Sequence, residues 1–401
     1  MVVYRYNGRS IEGAIKKGTI DASTKAQAIQ KLRDMKINPR EVEESKSLLH
    51  KELSIGQKVK NQDFVIYTRQ FATLIRAGVS IVESTRILAD QTRSKSLKKA
   101  LNNVEEDVRT GLTFSDSAAK YPNVFPAVFV NMIRAGEATG NLDTSLDRLA
   151  MSLEKQFAIK KKVQSTLTYP VILLILTFGV AGFLMLTIVP QFVTMFNDMG
   201  AELPAITKFV MSLSEFLQSS WFIILPVIFI GVGLFMWLYK NNEKFHFGVT
   251  YAIMRMPVFG QLVQKSSIAR VTRTLSSLFS SSVPILQALT IVEKVSGNPV
   301  VGKVLLEAKR SLEKGSTLTA PLQASWIFPP LVTQMTLIGE QTGSLDYMLE
   351  KVAVFYEDEV DRTVDTLKSL IEPLMILFLA FVVGGIVMAI MIPMFSLYEQ
   401  M

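Results

Sequence analysis

Cysteine is absent from this 401-residue chain, which excludes disulfides, thiolate chemistry and any Cys-held zinc or iron–sulfur centre. Histidine occurs twice, as His50 and His246. Neither stands among potential ligands, so an imidazole metal site or general base is not expected and both read as surface residues. No G-x-x-x-x-G-K-[ST] loop occurs. Lys314-Gly315-Ser316-Thr317 lacks the preceding glycine and the residue order that cradle a phosphate, so nucleotide energy would have to come from another protein. A Ser-His-Asp or Cys-His set cannot be assembled either. The chain is therefore read as a scaffold with no enzyme activity, no cofactor and no resident metal.

Charge is also scarce: charged residues make up 19% against 49% hydrophobic, and the apolar surplus gathers in a few stretches, as in a membrane protein. The net charge of +8 is compatible with nucleic acid. The Lys and Arg residues instead flank the apolar stretches, and no basic face interleaved with aromatics stands out, so no nucleic-acid partner is expected.

Residues 171–189, 221–239 and 374–392 each run without a charge, long enough as helices to span a hydrocarbon core of about 30 Å. Lys155, Lys160, Lys161 and Lys162 precede the first run, and Asp198, Glu202 and Glu215 against Lys208 follow it. The positive-inside rule then places the N-terminal side in the cytoplasm and the C-terminus outside. Lys160–Lys162 could also dock anionic lipid or a partner, but a topology determinant is the favoured reading. The first apolar run begins far into the chain and 1–6 has none of a signal peptide's character, so no segment is expected to be cleaved.

The chain repeats itself. Phe64, Tyr67, Phe71, Leu74 and Ile75 share a helix face with their counterparts 204 positions on, Ile268, Val271, Leu275, Leu278 and Phe279. Arg69 matches Arg273, and Gly111 matches Gly315. One residue is then lost. At an offset of 203, Phe125-Pro126 meets Phe328-Pro329, Gly136-Glu137 meets Gly339-Glu340, Thr139-Gly140 meets Thr342-Gly343, Pro170 meets Pro373 and Pro190 meets Pro393. The unit is a helical module followed by a span, bracketed by membrane-boundary prolines. The middle span has no counterpart and returns the chain to the cytoplasm. The expected organisation is a small N-terminal α+β segment (1–40), a linker (41–60), a first module (61–169) and span (170–190), an external loop (191–220) and a second span (221–239). A second module (240–372), a third span (373–393) and an external tail (394–401) complete it.

Within each module the motif Gly-Glu-x-Thr-Gly-x-Leu-Asp reads as helix punctuation. Gly140 and Gly343 supply positive φ, Asn141 and Ser344 can cap the next helix, and Asp143 and Asp346 place negative charge in its first turn. Punctuation does not explain Glu137 and Glu340. A partner contact, an interhelical bond or a weak cation site are open for them, a thin site for a metal without further oxygen ligands. Leu142–Thr168 and Leu345–Glu372 read as long helices leading to the membrane, with Pro170 and Pro373 either kinking them or starting new ones. Near the N-terminus an Asn7-Gly8 turn suggests a hairpin, followed by a helix over 24–35 and a stop at Pro39.

The paired Phe-Pro and Gly-Glu-x-Thr-Gly-x-Leu motifs and the proline-bracketed spans resemble the inner-membrane platform proteins of type IV pilus and type II secretion machines, the PilC/GspF family. The resemblance implies an all-α membrane protein with two homologous cytoplasmic six-helix bundles and assembly into at least dimers in a bacterial inner membrane. It also implies partners: a hexameric cytoplasmic assembly ATPase, pilin or pseudopilin subunits, and inner-membrane alignment proteins. Pilus assembly is the favoured role, with a type II secretion platform as alternative. A membrane transporter is disfavoured by parallel repeats and apolar spans, and a signalling receptor by its small external parts.

Overall fold

The computed structural model describes residues 2–10, 15–22, 25–34, 37–44, 59–198 and 205–400, in two compact units divided after Lys58. His50 lies outside the described residues.

In the first unit β1 (Val2–Ser10) pairs antiparallel with both β2 (Ile15–Ala22) and β3 (Ile37–Glu44), and α1 (Lys25–Asp34) supplies Leu32 to a small core with Tyr4, Ile37 and Val42. Asn7-Gly8 is not a turn: Asn7 pairs with Lys17 and Gly8 with Lys16 inside β1. Glycine is needed there because a Cβ on Gly8 would meet the Asn38 carbonyl at 2.7 Å, where the β1–β3 register shifts. Helix α1 ends at Asp34, short of Pro39. Pro39 lies in edge strand β3 beside that irregularity, a position that tolerates a missing N–H. The expected linker therefore begins as strand, to Glu44, and residues 45–58 lie outside the description.

The second unit contains two sets of six helices. The first set is α2 (Asn61–Arg76), α3 (Ile81–Gln91), α4 (Lys95–Arg109), α5 (Phe114–Ala119), α6 (Ala127–Thr139) and α7 (Leu142–Phe183). A π-helical turn, Leu184–Ile188, carries α7 into α8 (Val189–Asp198). Then α9 (Ala205–Asn241) and α10 (Glu243–Arg255) lead to the second set: α11 (Phe259–Ser280), α12 (Ile285–Val295), α13 (Pro299–Glu313), α14 (Thr319–Gln323), α15 (Pro330–Thr342) and α16 (Leu345–Gln400).

The sequence pattern explains these elements locally. Leu97, Leu101 and Val104 form the buried stripe of α4, whose first turn is capped by Ser94 Oγ accepting from the Leu97 amide; on α13, Val301, Leu305 and Ala308 repeat the stripe and Asn298 the cap. The module cores differ in chemistry at matching positions. Phe64, Tyr67, Phe71, Phe114, Phe125 and Phe129 make an aromatic cluster in the first, where the second has Ile268, Val271, Leu275, Leu318, Phe328 and Val332. The modules pack on each other through one continuous core. Arg148 donates to the Ser280 carbonyl at 2.6 Å and Gln287 to Asn131 Oδ1 at 2.6 Å.

Among the described residues two stretches, Leu142–Phe192 and Leu345–Ile392, are long and apolar enough to cross a membrane, and Pro226–Asn241 is a shorter apolar stretch of α9. Helix α7 runs unbroken through Pro170, and α16 through Pro373, so neither proline starts a new helix; each removes one ladder bond that a long apolar helix can spare. Lys162 on α7 pairs with Asp361 (3.1 Å) and Asp365 (3.6 Å) on α16, joining the two long helices. The expected external loop 191–220 is largely helical, because Thr207, Val210 and Ser214 form one inward stripe at helical spacing. Val210 is buried with Ala181, Val189, Ile386 and Ala389.

Candidate functional site

The duplicated Gly-Glu turn closes α6 in the first module and α15 in the second. Gly140 (φ 73°) and Gly343 (φ 70°) end those helices in the left-handed region, and the Ser344 amide bonds back to the Gly339 carbonyl at 3.0 Å. Asn141 makes no side-chain cap to α7, contrary to expectation; the glycine-closed turn already sets the chain direction there. Asp346 instead accepts from Ser276 through its carbonyl (2.8 Å) and from Ser280 through its carboxylate (3.2 Å), pinning the start of α16 to α11.

Gly136 and Gly339 serve close packing. A Cβ on Gly136 would lie 3.0 Å from both Leu142 Cα and Ser145 Cβ, and one on Gly339 3.0 Å from Leu345 Cα. Adjacent helices thus touch backbone to backbone across the turn.

Glu137 and Glu340 make the interhelical bond. Glu137 accepts from the Phe114 amide (2.8 Å) and the Ser115 amide (3.2 Å), the first residues of α5. Glu340 does the same with Leu318 (2.6 Å) and Thr319 (3.0 Å) at the start of α14, and also accepts from the Thr319 hydroxyl. Each carboxylate thus caps the N-terminus of a short helix that could not hold itself. Both oxygens are engaged, and among the described residues no group of three or more His, Asp or Glu is placed to hold a metal. Replacing Glu340 by Ala should strand two amides and lower stability by about 1–3 kcal/mol; thermal unfolding of the full-length chain in detergent measures it, and an unchanged midpoint contradicts the capping role.

A second duplicated constellation escaped the sequence reading. Arg69 donates to Glu154 through Nε (2.6 Å) and Nη2 (2.5 Å) and to Asp147 at 2.8 Å, and Arg76 also reaches Asp147. In the second module Arg273 donates to Glu357 at 2.8 and 2.9 Å, with Glu350 at 3.9 Å. The hydrogen bonds from Arg69 hold the Glu154 carboxyl below its usual range. Asp147 and Glu154 precede Glu350 and Glu357 by the repeat offset of 203, so extending the register to the acids would have found the clamp.

The prolines at the far ends of the repeats form a third pair. Proline lacks an N–H and leaves a carbonyl one turn earlier without its helical partner. For Pro393 in the α-helical register that carbonyl is Ala389, and Thr207 of α9 donates to it at 2.8 Å. Before Pro190 the helix is π-helical, with the Val189 amide bonded to the Leu184 carbonyl. The freed carbonyl is therefore Met185, to which Ser214 of α9 donates at 2.6 Å. Two turns apart on one face of α9, these hydroxyls bridge the two repeated helices through defects that proline creates. Thr207→Val with Ser214→Ala should loosen this junction by about 1 kcal/mol per bond; faster exchange of the Ile390 and Leu186 amides, which share peptide units with those carbonyls, measures it, and wild-type protection refutes it.

Comparison with known proteins matches this duplication. The family described as type II secretion system (T2SS), protein F, matches twice, over residues 67–190 and 271–393. The N-terminal domain of type II secretion system protein F matches residues 1–43. The chain belongs to the type II secretion system protein F family. Its two matched segments begin 204 positions apart and end 203 apart, on Pro190 and Pro393, and the lost residue falls between α5 and α6, in the loop that joins α14 to α15 in the second module. The chain is 39% identical to a type IV pilus assembly protein PilC of Thermus thermophilus, over 99% of this chain and 98% of that one. It is 37% identical to PilC of Myxococcus xanthus (98% and 94%) and 32% identical to a type II secretion system protein F of Vibrio cholerae (100% and 100%). The two matched segments contain the Gly-Glu turns, the arginine clamps and both Pro190 and Pro393, whereas Thr207 and Ser214 of α9 lie between them.

Proposed function

We propose that this chain is the membrane platform of a type IV pilus machine, coupling a cytoplasmic assembly ATPase to extraction and polymerisation of pilins. The observation that carries the reading is similarity over 82–99% of this chain to five proteins named for type IV pilus or fimbrial assembly, at 34–39% identity, against 31–33% for three named for type II secretion. In this reading α9 supplies a third span, both modules face the cytoplasm, the C-terminus lies outside, and the chain works as an oligomer in the inner membrane. It is no enzyme: the conspicuous carboxylates cap helices or bind arginine, which supports a structural role. Pilin subunits would meet the spans, and the ATPase and alignment proteins the modules. A platform acting on pseudopilins in type II secretion is the second reading, supported by the family's own description.

Deleting the gene should abolish surface filaments while pilin remains in the membrane, and reporter fusions within 270–360 should report a cytoplasmic location. Normal filaments would refute the pilus role. Loss of secreted proteins with filaments intact would move the assignment to secretion.

A further inference from the structure

Between the two modules lies a cavity of about 410 Å³ that none of these sites uses. The first module contributes Val65, Leu153, Phe157 and Lys160 to it, and the second contributes Arg270 of α11 and Val295 of α12. Among the described residues its charged lining consists of these two cations, with no carboxylate.

Arg270 is largely withdrawn from water, and burial lowers its pKa. The acceptor it meets is the Ser296 carbonyl, at 3.3 Å, at the end of α12. A guanidinium offers five N–H donors, and one carbonyl engages only part of that capacity. Arg273, one turn along α11, is by contrast matched by the Glu357 carboxylate. The repeat does not demand a cation here either: the counterpart of Arg270 in the first module is Ile66, which is exposed. The charge belongs to the junction between modules.

We propose that this cavity binds a small organic dianion, a phosphate monoester on an apolar or ring-shaped body. The phosphate sits on Arg270 and Lys160, and the body lies against Leu153, Phe157 and Val295. Two cations without an anion balance one phosphate monoester, and an arginine fork beside a lysine suits its oxygens. The volume and apolar walls fit a small ligand. Phosphate monoesters come from soluble nucleotides or from phosphatidic acid. Lys160 precedes Pro170 by about 15 Å of helix, which favours the soluble source. A ligand held there touches α7 and α11 together and ties one module to the other.

The test uses the full-length chain in phosphatidylcholine nanodiscs, titrated calorimetrically with AMP, adenosine and inorganic phosphate. AMP should bind, with adenosine and free phosphate each about tenfold weaker or more. Lys160→Glu, at an exposed position, should cost AMP about tenfold or more without moving the melting temperature. Arg270→Lys should bind better than Arg270→Met. If discs containing phosphatidic acid retain that lipid by native mass spectrometry, block AMP and lose it in Lys160→Glu, the lipid is the source. Equal AMP binding by wild type and Lys160→Glu, or binding of neither AMP nor phosphatidic acid, overturns the proposal.

Discussion

Replacing Arg273 by Met should destabilise the full-length chain by about 3–5 kcal/mol, the cost of leaving a buried carboxylate unpaired. The equivalent change at Arg69 should cost about 1 kcal/mol or less, as for exposed pairs. The two clamps share connectivity but not burial: the side chains of Arg273 and Glu357 are 14% and 10% exposed, those of Arg69 and Glu154 34% and 39%. Water already solvates the first-module pair and would do so after truncation, whereas Glu357 has no such recourse. Adding Glu357→Leu to Arg273→Met should recover most of the loss, since removing both charges removes the penalty. Denaturant unfolding in detergent compares the variants, and equal losses at the two sites would contradict the burial argument.

Gly339→Leu and Gly136→Leu should each lower stability by about 1–3 kcal/mol or more through overpacking. At both positions the atoms a side chain would meet include backbone, Leu345 Cα and Leu142 Cα, which cannot swing aside as a side-chain tip can. Alanine brings the same Cβ into those 3.0 Å contacts but no atoms beyond it, and its better helix propensity offsets part of the strain, so it should cost less than leucine. At Gly140 and Gly343 the ranking changes. No atom lies within 4 Å of an added Cβ, so the cost there is the positive φ alone, about 1 kcal/mol, for alanine and leucine alike. Leucine variants at 136 and 339 that melt with the wild type would show that the turn has slack the structure does not reveal.

Much of this architecture was legible in the sequence because helical periodicity and duplication are both written along the chain. Phe64, Tyr67 and Phe71 lie on one face in any α-helix, and their match to Ile268, Val271 and Leu275 needs no knowledge of what they touch. The role of Glu137 and Glu340 was not legible: the amides they cap lie 21–23 residues earlier, and only the packing of α5 on α6 brings them together. The misread segments failed for physical reasons too. Asn7-Gly8 has the composition of a turn but serves a close strand approach, and the stripe of Thr207, Val210 and Ser214 is too polar to announce a buried helix face.

The sequence by itself determined the helical modules, their duplication, the one-residue slip between copies and the apolar stretches, since each depends on residue spacing within a local segment. Tertiary structure decided which acids meet Arg69 and Arg273, which amides the glutamates hold, and that Ser214 and Thr207 reach the carbonyls freed by Pro190 and Pro393. Those partners lie between about 20 and 180 residues apart, and a contact at that separation is fixed by how helices pack, which no local spacing encodes.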